Sequence, residues 1–442
     1  MLRKLALSMS PLALLASSPL LAADAAPSGP APAVPVAFQA ALPPLPTGAV
    51  DEVMARRRGV PIWYRAGGGP DAAATLSTTL RRAALDGLPT GPDLAVAVDV
   101  AARDAASGDP AAIAKADRLM SAVWLAYVAA LRAPYSGMTY SDPRLTPRPV
   151  NAAVVLYQAS AAASPAQHLA QVASVNPIYA PLRDAAWAAL QASGTGRLDP
   201  RIAENLARAR ALPSSGKFVV VDAAAQRLTM IDNGRIADSM KVIVGTKESQ
   251  TPMLASTIWY ATLNPYWYVP TDLTRKTVAT RMLKDSGYLK TKQYEVISDF
   301  GLNPTMVPPE SIDWKAVSAG TKTVYLRQLP GKDNSMGQIK FPFPNDTGVY
   351  LHDTNLKALF AQNPRTLSNG CVRLEDAQRL ARWLFGTTPT TTSTAPEQHV
   401  RLPAGVPVYM TYLTAQAQNG QIAFLSDPYG RDGKAVPRVA VR

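Results

Sequence analysis

The chain of 442 residues holds one cysteine, Cys371, and three histidines, His168, His352 and His399. A single thiol excludes an intrachain disulfide, and so few sulfur and imidazole ligands exclude a zinc site built from several of them. No metal and no organic cofactor is expected. Charged residues are sparse at 17% against 47% hydrophobic, so the chain can bury a core and is not globally disordered. Beyond the first residues no segment is long and apolar enough to span a bilayer, so no stable membrane insertion is expected. Acidic residues are the scarcer sign, 32 against 45 basic, which leaves a formal charge of +13. That balance favours polyanionic surroundings: nucleic acid, anionic lipid or a carboxylate-rich polymer. A solvated basic surface without a specific partner has the same composition.

Arg3 and Lys4 precede an apolar stretch from Leu5 to Leu21, which runs into small residues. Basic start, apolar middle and small-residue end is the order of a secretory signal, and Ala23-Asp24-Ala25 fits its cleavage triplet. Ser8, Ser10, Pro11 and Pro19 interrupt the run and disfavour a spanning helix. The expectation is a signal peptide over 1–25 and an exported protein of the periplasm or cell envelope, with no nucleic-acid partner. A leftover cysteine in an exported chain is either a buried, inert residue or a reactive thiol.

Residues 26–49, rich in Ala and Pro, read as an extended linker. From 50 to 212 the hydrophobic period is helical. Leu119, Met120, Val123, Trp124, Tyr127, Val128 and Leu131 recur every three or four residues, and Leu76–Leu88 and Ile178–Leu190 are further helices. The period changes after Pro213. Phe218–Val221, Leu228–Ile231 and Met240–Val244 read as strands, the last two joined through Asp232-Asn233-Gly234. More strands are expected at 257–262, 323–327, 349–351, 407–412 and 422–425. Between them lies an insertion at 270–321, with helical candidates Asp272–Met282 and Tyr288–Ser298, of the kind that forms lids and binding loops. The fold class expected is α+β in two domains: a helical domain over 50–212, a mostly β domain over 213–425 carrying that lid, and a C-terminal tail over 426–442.

The stretch richest in chemistry is Gly348 to Leu380. His352 ends a predicted strand, and Cys371 follows within Ser368-Asn369-Gly370-Cys371-Val372-Arg373. A thiol nucleophile needs a base, since its ordinary pKa near 8.5 leaves only a few per cent thiolate at neutral pH. A neighbouring imidazole either removes the proton or holds the thiolate as an ion pair. Gly370 permits a tight turn before the nucleophile, and backbone N–H groups in such a turn can receive an oxyanion. Asp376 suits an N-cap, with Ala377, Leu380, Ala381 and Leu384 as the buried stripe of the next helix.

This block resembles the catalytic motif of L,D-transpeptidases of the YkuD type: a histidine, fifteen to eighteen residues, then Ser/Thr-His-Gly-Cys and an apolar residue. Residues 353–367 give a spacing of fifteen, and Ser368, Gly370, Cys371, Val372 and Arg373 occupy their expected places. Asn369 departs, standing where the family more often has histidine. Leu263–Pro270, Met336–Thr354 and the N-terminal helices, including Asp86-Gly87-Leu88, are similar to the branch of the family that carries a helical scaffold domain and a capping insertion.

The resemblance implies a peptidoglycan L,D-transpeptidase working through a cysteinyl thioester. Cys371 is the implied nucleophile, His352 the base and then acid, and Gly370 a backbone contributor to the oxyanion site. Ser368, Asn369, Arg373, Tyr350 and Trp267 are the implied substrate contacts. For Arg373 the residues leave two roles open, a substrate carboxylate or an ion pair with Glu375 or Asp376. The implied partners are peptidoglycan stem peptides, a tetrapeptide donor and an amine acceptor giving a 3–3 cross-link. Water or a protein lysine as acceptor would use the same nucleophile and base, and a non-catalytic wall-binding scaffold is the reading from another class. Asp353 is expected to point away from the site, leaving its carbonyl to orient the imidazole. His168 and His399 read as surface residues.

Overall fold

The computed structural model describes residues 44–65, 68–194, 198–390 and 393–433; the expected signal peptide and most of the expected linker lie outside them. The first helix, α1 (Thr47–Arg56), begins inside the stretch read as linker. It is followed by α2 (Gly69–Arg81), α3 (Gly91–Ala105), α4 (Pro110–Leu131), α5 (Ala152–Ala161), α6 (Pro165–Ser174), α7 (Tyr179–Ser193) and α8 (Pro200–Arg210). Local chemistry sets the start of α4: the Asp109 carboxylate accepts from the Ala111 and Ala112 N–H groups, and Pro110 supplies a preset φ at the first helical position. Its predicted stripe is buried, with Trp124 stacked on Tyr127 and edge-on to Trp63.

The helix expected over 76–88 stops at Arg81. Turns follow, and they bring Asp86 into the interior, where Tyr127 and Tyr179 donate their hydroxyls to its carboxylate and Arg183 lies 3.7 Å away. Gly87 takes φ +92°, with the Arg210 guanidinium where a Cβ would sit, so only glycine fits there.

The β region is a barrel. Strand β1 (Thr139–Tyr140), contributed by the helical region, pairs with β5 (Leu254–Leu263). From β5 the order runs through β13 (Gln398–Thr411), β2 (Lys217–Asp222), β3 (Arg227–Asp232), β4 (Arg235–Gly245), β12 (Val372–Leu374), β10 (Leu351–His352) and β9 (Ile339–Phe341). The path returns to β5 through Thr262↔Lys340 and Leu263↔Ile339, and closure satisfies strand edges that would otherwise invite pairing with another chain. Inward residues such as Val219, Val242, Ile258, Phe341, Leu351, Val372 and Met410 fill it, and the helix Ala377–Phe385 packs its stripe on the same core.

The insertion is a small layered unit with its own apolar core of Val269, Val278, Val296, Val317 and Leu326. It is wider than 270–321, because its sheet is built from β6 (Trp267–Val269), β8 (Tyr325–Gln328) and β7 (Tyr294–Ile297), in that order. The helix expected over Tyr288–Ser298 lasts only through Thr291. Gln293 adopts φ +55°, which breaks the helix, and Tyr294–Ile297 then pairs with β8. The run Asp272–Met282 is helical as expected, with a π-helical middle at Thr274–Ala279.

Residues 412–433 are tied into the rest of the structure. The hairpin β14 (Ala415–Gln418) and β15 (Gln421–Phe424) packs on the helical domain, with Leu413 and Ala415 inside the helical core. Arg208 of α8, only 2% exposed, donates to the carbonyls of Tyr412 and Arg431 and lies 3.5 Å from Asp432. These contacts join the helical domain to the barrel through residues 412–432.

Candidate active site

The site is made by two short parallel strands. In β10 and β12 Leu351 pairs with Val372 and His352 with Arg373, and the Val372 N–H donates to the Tyr350 carbonyl at 3.1 Å. Side chains alternate along a strand, so Leu351, Val372 and Leu374 enter the barrel core while Tyr350, His352, Cys371 and Arg373 share the opposite face. His352 and Cys371 are diagonal neighbours across this pair. All four side chains line one cavity of about 340 Å³. The lid supplies part of its wall with Trp267, Asp272 and Leu273, and Ser368, Asn369, Met336 and Leu356 complete it. The lid residue Asp272 carried no linear signal, since its place in the cavity wall arises only when the insertion folds over the barrel.

His352 is buried, and its Nδ1 bonds to the Asp353 carbonyl, the contact that the family resemblance suggested. A carbonyl only accepts, so Nδ1 carries the hydrogen and Nε2 is the bare, basic nitrogen. The Asp353 carboxylate is turned elsewhere, accepting from the Gln338 N–H at 3.0 Å and pairing with Lys357 at 2.7 Å. Burial, reinforced by the nearby Arg373 charge, pushes the imidazole down to about 3 despite the opposing Asp353 carbonyl. Burial raises Cys371 above the usual thiol range, against the Tyr350 N–H, the Arg373 charge and the Tyr350 hydroxyl, all of which favour thiolate. Of the two arrangements open from sequence, this environment favours a neutral thiol beside a neutral imidazole base over a standing ion pair.

The Arg373 side chain makes no hydrogen bond or ion pair among the described residues, and burial depresses its pKa. The pairing with Glu375 or Asp376 does not form: Glu375 accepts from the Lys241 N–H, and Asp376 caps the following helix through the Arg379 N–H. A half-buried guanidinium without an acceptor is held ready for an anion.

Gly370 has φ +109°, which accounts for glycine in the turn. Its expected part in the oxyanion site needs correction, because the Gly370 N–H donates to the Ser368 hydroxyl at 3.2 Å. That hydroxyl in turn donates to the Cys371 carbonyl, so Ser368 braces the turn from inside. The Cys371 N–H has no partner among the described residues and is the free donor beside the thiol. The other two histidines stand apart from the site: His168 packs edge-on to Trp124, less exposed than expected, and His399 bonds to the Thr262 hydroxyl.

Comparison with known proteins fits this geometry. Residues 216–402 match the family described as YkuD, L,D-transpeptidase catalytic domain, and residues 48–185 match the Scaffold domain. The barrel region is thus similar to the YkuD catalytic domain and the helical region to the Scaffold domain. A protein of Haemophilus influenzae, provisionally named an L,D-transpeptidase, is 32% identical over 248 residues, 54% of this chain and 50% of that protein. The chain therefore spans about half the length of the relative it matches. Among solved structures, an L,D-transpeptidase from Mycobacterium smegmatis is 14% identical with a TM-score of 0.22, over 45% of this chain and 59% of the other. A cysteine-to-serine mutant of the Enterococcus faecium L,D-transpeptidase is 12% identical with the same score, over 47% and 62%. These two likenesses are too distant to carry further argument.

Proposed function

We propose that the protein is an exported peptidoglycan L,D-transpeptidase. Cys371 attacks the carbonyl joining the L-centre of the third residue of a stem tetrapeptide to its terminal D-alanine. The Sγ–carbon bond forms and the scissile C–N bond breaks. His352 Nε2 takes the thiol proton and hands it to the leaving nitrogen. D-Alanine departs, and the thioester passes its acyl group to an amine of a neighbouring stem, whose proton returns through His352 to the thiol. The product is a 3–3 cross-link, and the Cys371 N–H stabilises the oxyanion in both halves. The observation that carries this reading is the shared face of Tyr350, His352, Cys371 and Arg373. It puts a thiol, a bare imidazole nitrogen and an unpaired cation in one cavity.

Arg373 lies two residues along the strand from Cys371, which brings its guanidinium within reach of a carboxylate a few bonds beyond the scissile carbonyl. The terminal carboxylate of D-alanine has that placement. Trp267 and the lid close over the stem and exclude water, favouring amines over hydrolysis. Tyr350, Ser368 and Asn369 complete the substrate contacts. Purified protein incubated with tetrapeptide muropeptides should release D-alanine and form a dimer by mass spectrometry, with Cys371→Ala inert. Release without dimer would replace the amine acceptor by water. A wild type indistinguishable from Cys371→Ala would refute the reading.

A further inference from the structure

The oxyanion donor is aimed from outside the catalytic motif. The carbonyl of Gly370 and the N–H of Cys371 belong to one planar trans peptide, so they point in opposite directions and whatever fixes one fixes the other. The Gly370 carbonyl is held by the Thr251 hydroxyl at 2.8 Å, while that hydroxyl accepts from the Gly245 N–H at 2.9 Å. Thr251 is completely buried, so no water competes for either bond. The loop reaches this position only because residue 245 is glycine: a Cβ there would sit 2.0 Å from the Ser249 carbonyl oxygen.

Thr251 is held by the end of the chain. Its N–H donates to the Tyr429 hydroxyl at 3.3 Å, and that hydroxyl donates to the Gly245 carbonyl at 2.8 Å. Arg431 donates to the Thr251 carbonyl at 3.1 Å and to Gln250 Oε1 at 2.8 Å. Tyr429 is stacked on Tyr412, and its N–H donates to the Tyr412 hydroxyl at 2.9 Å. Arg208, from the last scaffold-side helix, holds the carbonyls of both Tyr412 and Arg431. An unbroken set of buried polar contacts thus runs from α8 through residues 412–431 to the peptide bond that precedes the nucleophile.

We propose that Thr251 is a positioning residue for acyl transfer: by clamping the Gly370 carbonyl it turns the Cys371 N–H towards the oxyanion, with Tyr429 as the brace that holds Thr251. This rests on the acyl-transfer reading above and adds to it a function for the 245–251 loop and the chain terminus. The clamp acts on the oxyanion and leaves the thiol itself alone, and that difference is measurable. Acylation by a carbapenem opens the lactam C–N bond through an oxyanion, whereas alkylation by iodoacetamide displaces iodide at carbon and forms none.

The test follows both reactions by intact-protein mass spectrometry on the full chain, with thermal unfolding alongside. Thr251→Val, which keeps the volume and loses the hydroxyl, should slow carbapenem acylation by about 10- to 100-fold. Alkylation of Cys371 should stay within about twofold of wild type. Thr251→Ser should restore acylation. Tyr429→Phe keeps the ring stack, loses only the hydroxyl and should slow acylation a few-fold with the same selectivity, which tests the clamp even if Thr251→Val fails to fold. Unchanged acylation in the folded variants, or a parallel fall in alkylation, would overturn the proposal. A wild type that is alkylated but never acylated would sink the acyl-transfer reading and the clamp with it, a pattern distinct from either result.

Discussion

Two polar clusters, one in each half of the molecule, are built to opposite ends. In the helical domain Asp86 is completely buried and its charge is answered by two tyrosine hydroxyls and Arg183. Arg183 is itself 3% exposed and also donates to the Ala173 carbonyl. Each partner is satisfied from within the chain, so the cluster's effect is to fix how α4, α7 and the turn after α2 meet. In the barrel the face of Tyr350, His352, Cys371 and Arg373 is only partly covered, with His352 alone buried, and it is left incomplete. Among the described residues its guanidinium has no acceptor and its Cys371 N–H no partner, and the thiol reaches the Gly348 carbonyl only at 3.9 Å. A satisfied buried network spends its interactions on stability. An unsatisfied one keeps them for a ligand, at some cost to the empty fold.

The contrast is sharpest under mutation. His352→Ala should cut acylation by about 10²- to 10⁴-fold by removing the base, while thermal unfolding stays close to wild type. Near-normal turnover in this variant would move the base elsewhere. Asp86→Ala should do the reverse: stranding Arg183 and two hydroxyls in the core should cost about 3–5 kcal/mol in denaturant unfolding. The folded fraction should still acylate at the wild-type rate, and a stable Asp86→Ala protein would remove the distinction between the clusters. Arg373→Gln should lower kcat/KM by about 10- to 100-fold for donors ending in a free carboxylate, the worth of a charge-assisted hydrogen bond. Donors ending in an amide should be nearly unaffected, and an equal loss on both would deny Arg373 its anion.

The mildest effect is on pH dependence. With His352 held near 3, the imidazole stays unprotonated far below the usual histidine range, and the raised thiol keeps the neutral pair intact above neutrality. Acylation rate should therefore hold its plateau through pH 5, where an ion pair with an ordinary or raised imidazole would not give that profile. The stability sign follows from the same burial. Unfolded imidazole takes up a proton near 6.5 while the folded one does not, so this group's contribution is intact above about 6.5 and is lost as pH falls towards 3. In His352→Ala that part of the acid sensitivity should disappear from the unfolding curve.

What could be read along the chain follows from how local each signal is. The stripe of α4 and the Asp376 cap depend on neighbours three or four residues away, and both formed as the spacing required. The motif around Cys371 is equally local, and the strand alternation that gathers Tyr350 and His352 on one side is local too. Over Tyr288–Ser298 the apolar spacing suits either period, and pairing with β8 turned Tyr294–Ile297 from the expected helix into strand.

By itself the sequence determined the two-part architecture and singled out Cys371 and His352 as the candidate nucleophile and base; the carbonyl that fixes the imidazole tautomer was settled by the fold. Periodicity, spacing and adjacency are properties of the chain and survive without a fold. Only the tertiary structure decided that Arg373 stands unpaired, that the Gly370 N–H is taken by Ser368, and that Asp272 of the lid shares the cavity with Cys371. It also decided that Thr251 and Tyr429, 119 residues before Gly370 in the first case, brace the peptide at the nucleophile. Hydrogen-bond partners so far apart are chosen by barrel closure and by the packing of the chain terminus, and linear order carries no record of either.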